Sequence, residues 1–465
     1  MFSKSTYTAR RAALSQSIDT GILLFLGNEE TGMNYRDNWY HFKQDSTFLY
    51  YFGMNQASLA AIIDVEEGTS TIYGNELTVD DIVWTGPLPS IAEQAANVGV
   101  SQTAPAAALV DALKEAQAKG RTIHFLPPYR DEHTLKLHSW LNISTAQVAE
   151  KASLALIKSI IAQREIKTEE ELVELDKAVD LTADMHLAAM QNARAGMMEY
   201  EVSGLVNSTA MMGGGEISFP IIFTQNGQTL HNHYHGNRIE KDRLLLCDCG
   251  AQIPSGYAGD MTRTFPVNGS FSPRQAELYE VLHASFEASL AALKPGVPYK
   301  EVHLLAARII FDGLKQAGLT KGDTDEAVAQ GVHALFFPHG LGHQMGMDVH
   351  DMENLGEVYV GYDGEAKSTQ FGLKSLRLGK ALNPGIVLTV EPGIYLIPEL
   401  IDMWRSENKF TDFLNYDKLD TYKNFGGMRV EEDWVITETG ARRLGKKVAT
   451  SLKDIEAVRQ EALSE

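Results

Sequence analysis

Cysteine is nearly missing from this chain: its 465 residues contain two, Cys247 and Cys249, with a single residue between them. So few thiols, so close together, exclude a disulfide framework and the small stapled scaffolds that depend on one. Long apolar runs are missing as well. The opening MFSKSTYTARRAALSQ has no continuous apolar core of the kind a signal peptide needs. No later stretch approaches the roughly 20 apolar residues that cross a bilayer. These absences lead us to expect a cytoplasmic protein without membrane contact. Positive charge is in deficit, with 41 Lys and Arg against 61 Asp and Glu and a formal charge of −20. A surface of that sign repels phosphate backbones, so nucleic acid is not an expected partner. Part of the acidic excess can instead sit in carboxylate metal sites, where cations neutralise it. Low-complexity tracts and short-period repeats are also lacking.

What is present is an ordinary globular balance, 44% apolar and 22% charged, at a length that exceeds one hydrophobic core. Two domains are expected, residues 1–155 and 156–465. In the first, short apolar runs at 21–26, 59–64, 71–73 and 122–126 read as strands, and 105–118 reads as a helix, which makes an α/β domain. From Glu169 the period changes: Leu172, Leu175, Val179, Ala183, His186 and Met190 line one face of a long helix. A second helix is expected over 199–211 and two more between Pro273 and Ala317. Strand and turn signals dominate from Phe336 to Ile436.

The chemistry concentrates in this second part. Leu244-Leu245-Leu246-Cys247-Asp248-Cys249-Gly250 is an apolar strand interrupted by one charge. Burying that carboxylate unpaired would cost several kcal/mol, so Asp248 needs a cation. Period-two alternation turns Cys247 and Cys249 to the opposite face, where they pack in the core and do not share its role. Twelve residues on, Asp260 offers a second acid, which a hairpin would bring beside Asp248; a salt bridge to Arg263 is the competing reading. His339-Gly340-Leu341-Gly342-His343, with His350 beyond it, mimics the i, i+4 pair of a zinc-protease helix, but it lacks the glutamate and its glycines disfavour a helix. Glu391 and Glu431 each follow an apolar strand. Asp248, Asp260, His343, Glu391 and Glu431 together form an oxygen-rich set with one nitrogen, suited to two hard divalent ions.

The segments LHNHYH, DCGAQIPSGYAGDMTRTFPVNG, HGLGHQMGMDVHD, LTVEPGIY and GGMRVEED, in this order, resemble the pita-bread metallopeptidases, the family of prolidase and aminopeptidase P. YRDNWYHFKQDSTFLYYFG at 35–53 is similar to the amino-terminal domain of that family. The resemblance implies an α+β pita-bread catalytic domain behind the α/β one. It also implies metal ligation by Asp248, Asp260, His343, Glu391 and Glu431, with Asp260 and Glu431 bridging two ions. Those ions are expected to be Mn2+, with Zn2+ or Co2+ as alternatives. His231 and His350 match the two non-ligand catalytic histidines, with His233 and His235 as competitors of the first. His339, Arg377 and Arg429 are assigned to substrate, Arg429 alternatively to anchoring Glu431.

The implied reaction is hydrolysis of the bond before proline in small peptides. Two dications lower the pKa of a water between them, the resulting hydroxide attacks the carbonyl, and Glu391 manages the proton. Arg377, placed to grip a carboxylate that follows proline, and the long segment 401–422 both favour Xaa-Pro dipeptides. An aminopeptidase acting on longer peptides is the alternative. A non-catalytic peptide-binding module and a metal-free creatinase-like hydrolase are disfavoured because all five ligand types are present. A homodimer is expected by resemblance. One departure is visible: Asp248 and Asp260 are twelve residues apart where the family suggests eleven, which places an extra residue in the turn near 253–255.

Overall fold

The computed structural model describes residues 2–464, in two units. One is Met1–Arg164 with Met352–Gly356, and the other is Glu165–Asp351 with Glu357–Glu465. The division therefore falls after Arg164 and not near 155. The reason is the helix Leu154–Arg164, which buries Leu156, Ile157, Ile160 and Ile161; its Arg164 donates to Thr47 Oγ1 at 2.8 Å, inside the first unit.

The first unit is built on one five-stranded sheet: β1 (Ile22–Leu26), β2 (Ala60–Asp64), β3 (Thr69–Tyr73), β4 (Gln102–Ala104) and β5 (Ile123–His124). Their order is β4-β3-β2-β1-β5. β1, β2 and β3 pair antiparallel, whereas β4 and β5 join the two edges in parallel. One face buries Leu24 and Ile62 against Leu113 and Leu137, which come from helices Ala108–Ala118 and Asp131–Leu141. Arg121 closes the edge with a two-pronged contact to Asp64, at 2.7 and 2.6 Å.

The second unit opens with the helix Glu169–Asn192. Thr168 caps its start and Glu171 reciprocates, each satisfying one of the other's backbone N–H groups. All six residues of the expected stripe, from Leu172 to Met190, are buried. Further helices, Glu199–Met212, Pro273–Ala292 and Tyr299–Gln316, stand where the periodicity places them. The strands are β6 (Glu216–Ile217), β7 (Ile222–Thr224), β8 (Leu244–Cys249), β9 (Ala251–Gln252), β10 (Met261–Pro266), β11 (Val387–Val390), β12 (Gly393–Tyr395), β13 (Gly427–Arg429), β14 (Glu432–Ile436) and β15 (Ala441–Arg443). They form two three-stranded sheets, β10-β8-β7 and β11-β14-β15, and the pairs β12-β13 and β6-β9. Bridges Thr262↔Glu431 and Gln344↔Leu388 tie these pieces together. Three short helices, Glu357–Tyr362, Pro398–Ser406 and Tyr416–Asp420, interrupt the run of strands expected between 336 and 436. Of the last two, one runs into the segment 401–422 and the other lies within it, and they bury Ile401, Trp404 and Leu419.

Behind the strands that lead to Glu431 lies a guanidinium with no exposure to water. Arg263 pairs with Glu432 at 2.6 Å, not with Asp260, and also donates to the carbonyls of Glu431 at 2.8 Å and Ala449 at 2.8 Å. Removing one partner of such a pair strands the other charge in low dielectric. Arg263→Met should destabilise the second unit by about 3–5 kcal/mol. Denaturant unfolding followed by a probe in that unit checks it, and a loss under ~1 kcal/mol, the worth of a surface pair, would contradict the buried-pair account.

Candidate metal centre

β8 is a strand of six buried residues, and Asp248 is its one charge. Across the ladder it faces Thr262, and Asp260 precedes β10 by one residue. The two aspartates are therefore diagonal neighbours on one face of the hairpin, not directly opposed. The extra residue is absorbed in the connection: Ile253 N–H reaches Tyr257 O at 3.0 Å, Gly256 N–H reaches Ile253 O at 2.8 Å, and Gly256 takes the left-handed φ of +91° that favours glycine. Gly250 permits the hairpin to close, because a Cβ there would lie 1.8 Å from the Gly259 carbonyl oxygen.

The loop 339–343 is not helical. It lies against β11, where a Cβ on Gly342 would meet Thr389 O at 2.1 Å. Thr389 Oγ1 accepts from His343 N–H at 3.1 Å and so fixes the histidine. Glu391 follows β11, its N–H bonded to Leu341 O at 2.8 Å. Glu431 sits between β13 and β14, its N–H bonded to Thr262 O at 3.0 Å. Thr262 Oγ1 donates to the Glu431 carboxylate at 2.7 Å.

All ten residues singled out in the sequence line one cavity of about 790 Å3: His231, Asp248, Asp260, His339, His343, His350, Arg377, Glu391, Arg429 and Glu431. Of the competing histidines, His233 also reaches the cavity, stacked 6.5 Å from His231. His235 is instead tied by its Nε2 to Ile221 O at 3.1 Å. The His343 and His350 rings lie 4.0 Å apart. Sequence reasoning missed three contributors. Tyr395 Oη accepts from Arg429 at 2.7 Å and bonds His339 Nε2 at 2.8 Å. Thr262 links Arg429 to Glu431. Asp433 accepts the Asp260 N–H at 3.0 Å. All three lie within the quoted segments, Thr262 in DCGAQIPSGYAGDMTRTFPVNG, Tyr395 in LTVEPGIY and Asp433 in GGMRVEED, but their contacts depend on how the strands meet.

The electrostatics are those of crowded acids in a dry place. Burial, followed by the charge of Asp248, pushes the Asp260 carboxyl well above the usual carboxylate range. Burial with Glu431 does the same to Glu391, and burial with Asp260 does so to Glu431. Arg429 offsets part of this by pairing with Asp248, and burial first, then Arg429, pulls the His339 imidazole down to about 3. His339 is therefore neutral, its Nδ1–H donating to Gly340 O at 2.7 Å and its Nε2 accepting from Tyr395. Both nitrogens are engaged, so His339 can present only its ring to a ligand.

His343 shows what the cluster is suited to hold. Its Nδ1–H points at Gln344 O, 3.1 Å away, which turns the Nε2 lone pair toward Asp260 Oδ2 at 3.4 Å and Glu391 Oε1 at 3.8 Å. A lone pair facing carboxylate oxygens is repulsive unless a cation lies between them. Asp260 Oδ1 is buried without a hydrogen-bond partner. Donor atoms of Asp260, His343 and Glu431 lie within 4.8 Å of one another. An acidic donor set with one imidazole fits hard or borderline divalent ions.

With this geometry in view, comparison with known proteins is informative. The model of metallopeptidase family M24 matches residues 173–438, and that of the aminopeptidase P N-terminal domain matches 7–124. The Xaa-Pro dipeptidase of Homo sapiens is 31% identical, over 94% of this chain and 88% of that protein. The Xaa-Pro aminopeptidase of Escherichia coli K12 is 29% identical over 98% of each. A solved structure of an Escherichia coli aminopeptidase P variant in complex with substrate superposes with a TM-score of 0.83 at 28% identity, over the whole of both chains. The two-domain, pita-bread architecture expected from sequence is thus present, and the chain belongs to metallopeptidase family M24, whose members work through a dinuclear divalent metal centre.

Proposed function

We propose that this protein is a metal-dependent peptidase that hydrolyses the bond before proline, with Xaa-Pro dipeptides as preferred substrates. The observation that carries the reading is the shared cavity, where the acids, His343 and Arg377 meet. In it Asp248, Asp260, His343, Glu391 and Glu431 would hold two divalent ions, and manganese is the proposed metal. Bound there, the ions would supply Lewis acidity, making water nucleophilic at neutral pH and polarising the scissile carbonyl.

The chain's own residues do the rest. Glu391, at the cavity surface and with a raised proton affinity, takes a proton and passes it to the departing proline nitrogen. His231, kept neutral by burial, offers one N–H to the oxygen that becomes negative, and His350 is placed on the same cavity for that task. Phe219, Pro220 and Pro338, with the His339 ring, supply apolar walls for a proline that has no N–H to satisfy. Arg429 is already committed to Asp248, Tyr395 and Thr262, which suits anchoring better than substrate contact. Arg377 is the cavity's guanidinium for a terminal carboxylate. The reading also takes the protein as a cytoplasmic homodimer acting on small peptides. Among the described residues no helix is long and apolar enough to cross a membrane, and light scattering against the 51.3 kDa chain tests the dimer.

A second reading, an Xaa-Pro aminopeptidase acting on longer peptides, is favoured by the end-to-end match with the Escherichia coli enzyme. Hydrolysis of Ala-Pro against Ala-Pro-Ala separates the two.

Asp260→Asn should abolish turnover while the fold survives, because the substitution removes, from the set that would hold the ions, a carboxylate that packs little core. Near-normal activity with unchanged metal content would sink the ligand assignment. The raised carboxyls of Asp260, Glu391 and Glu431 give a pH signature. In metal-free protein they keep their protons after the unfolded chain has lost its own, so their contribution to stability is present at low pH and disappears as pH rises through the raised values. The gain in Tm on adding Mn2+ should therefore grow as pH climbs from the ordinary carboxylate range; a gain that shrinks would be inconsistent with it. Arg377→Ala should cost roughly 1.5–3 kcal/mol, about ten- to a hundredfold in kcat/KM, on Ala-Pro. A carboxyl-amidated substrate should barely be affected. An equal loss on both would make Arg377 structural, and no loss would favour the aminopeptidase.

A further inference from the structure

On the reverse face of β8, away from Asp248, three donors that the peptidase chemistry does not use come together. Cys247 and Cys249 project from alternate positions of the strand toward the helix Glu169–Asn192, where His186 meets them. All three side chains have no exposure to water. Cys247 Sγ and Cys249 Sγ are 3.8 Å apart, and Cys249 Sγ is 3.4 Å from His186 Nε2. The donor atoms of the three lie within 4.8 Å of one another. His186 Nδ1 is buried and unpartnered.

We propose that His186, Cys247 and Cys249 form a second, structural metal site for a single thiophilic cation of the Zn2+ kind. Two sulfurs held about 2.3 Å from one tetrahedral ion stand roughly 3.8 Å apart, and a sulfur and an imidazole nitrogen on such an ion stand roughly 3.5 Å apart. The observed separations match both. A disulfide does not fit as well: two residues along a strand advance roughly 6.6 Å, whereas bridged Cα atoms usually sit about 5.5–6 Å apart. The donors also differ in kind from those on the other face. Two thiolates and an imidazole select a soft or borderline ion, while the carboxylate set selects hard ones. One strand thus separates two metal chemistries. On binding, each thiol releases its proton to solvent as its sulfur takes the ion. His186 Nε2 lies 3.2 Å from the Cys249 carbonyl oxygen, the geometry of an N–H donor, so on binding the ring proton would move to Nδ1 and Nε2 would turn its lone pair to the metal. The same carbonyl oxygen offers a further donor. The ion would pin the long helix to the back of the strand that carries Asp248. Because the site is sealed, it is filled as the chain folds.

The test is protein produced in cobalt-supplemented medium. Cobalt held by carboxylates gives weak visible bands, whereas cobalt on thiolate gives an intense near-ultraviolet charge-transfer band. The chain's only thiols are these two, so the band by itself assigns the site. We expect the band, one cobalt per chain beyond the peptidase pair, and loss of both in the Cys247→Ala/Cys249→Ala variant. That variant should hydrolyse Ala-Pro with added Mn2+ and melt at lower temperature. Wild-type protein with its peptidase centre loaded but no charge-transfer band would overturn the proposal, as would a Cys247–Cys249 disulfide found by mass spectrometry. The wild-type spectrum decides even where the variant fails to fold, and it is independent of which peptides the enzyme cuts.

Discussion

Mutual repulsion among buried carboxylates is the constraint around which the second unit is arranged. Asp248, Asp260, Glu391 and Glu431 converge from four separate stretches of chain, and each is pushed toward its neutral form or held by a partner. No single helix could present four acids so closely. The ends and middles of short strands can, because a strand delivers a side chain to a chosen face every second residue. The small sheets and the bridges between them are what the acids require in order to meet. The glycines at 250 and 342 follow from the same demand, since each stands where two backbones approach too closely for a side chain.

The cluster is held apart as well as together. Arg429 reaches Asp248, Tyr395 and Thr262 at once, and Thr262 passes the contact on to Glu431. Tyr395 extends the chain to His339, whose tautomer is fixed by Gly340 O. Through this network the orientation of an acid on β8 is coupled to a histidine in the loop 339–343. Arg263 and Glu432 form a separate pair behind it, so Glu432, although adjacent in sequence to Glu431, adds no uncompensated charge.

What could be read from sequence was set by locality. Asp248 stood out because a lone charge in an apolar strand needs an explanation that the strand itself does not contain, and Glu391 and Glu431 stood out because each ends an apolar run. The stripe from Leu172 to Met190 was legible because a 3.6-residue period is a property of neighbours. Cross-strand register was not. Whether Asp248 faces Asp260 or Thr262 depends on how the turn at 253–257 spends its extra residue, and that is settled by backbone hydrogen bonds the sequence does not display. Arg263 was paired with Asp260 in one reading because they are near in sequence; in space its partner comes from β14. Tyr395 drew no reading of its own, and the His186 cluster needs a helix and a strand to meet before it exists. The helix Leu154–Arg164 went unread because its exposed face carries Leu154, Ala155 and Ala162 while its buried face ends in Arg164, which blurs the apolar period.

Charge balance explains why the centre calls for two dications. Asp433 lies against Asp260 and is raised chiefly by burial and then by that charge, so it belongs with the other four acids. Five carboxylates and the guanidinium of Arg429 that pairs with them leave four formal negative charges among largely buried groups. His339 and His231 are held neutral by burial and cancel none of it. One dication would leave half of the excess in low dielectric, whereas the two that the family implies bring the centre to formal neutrality.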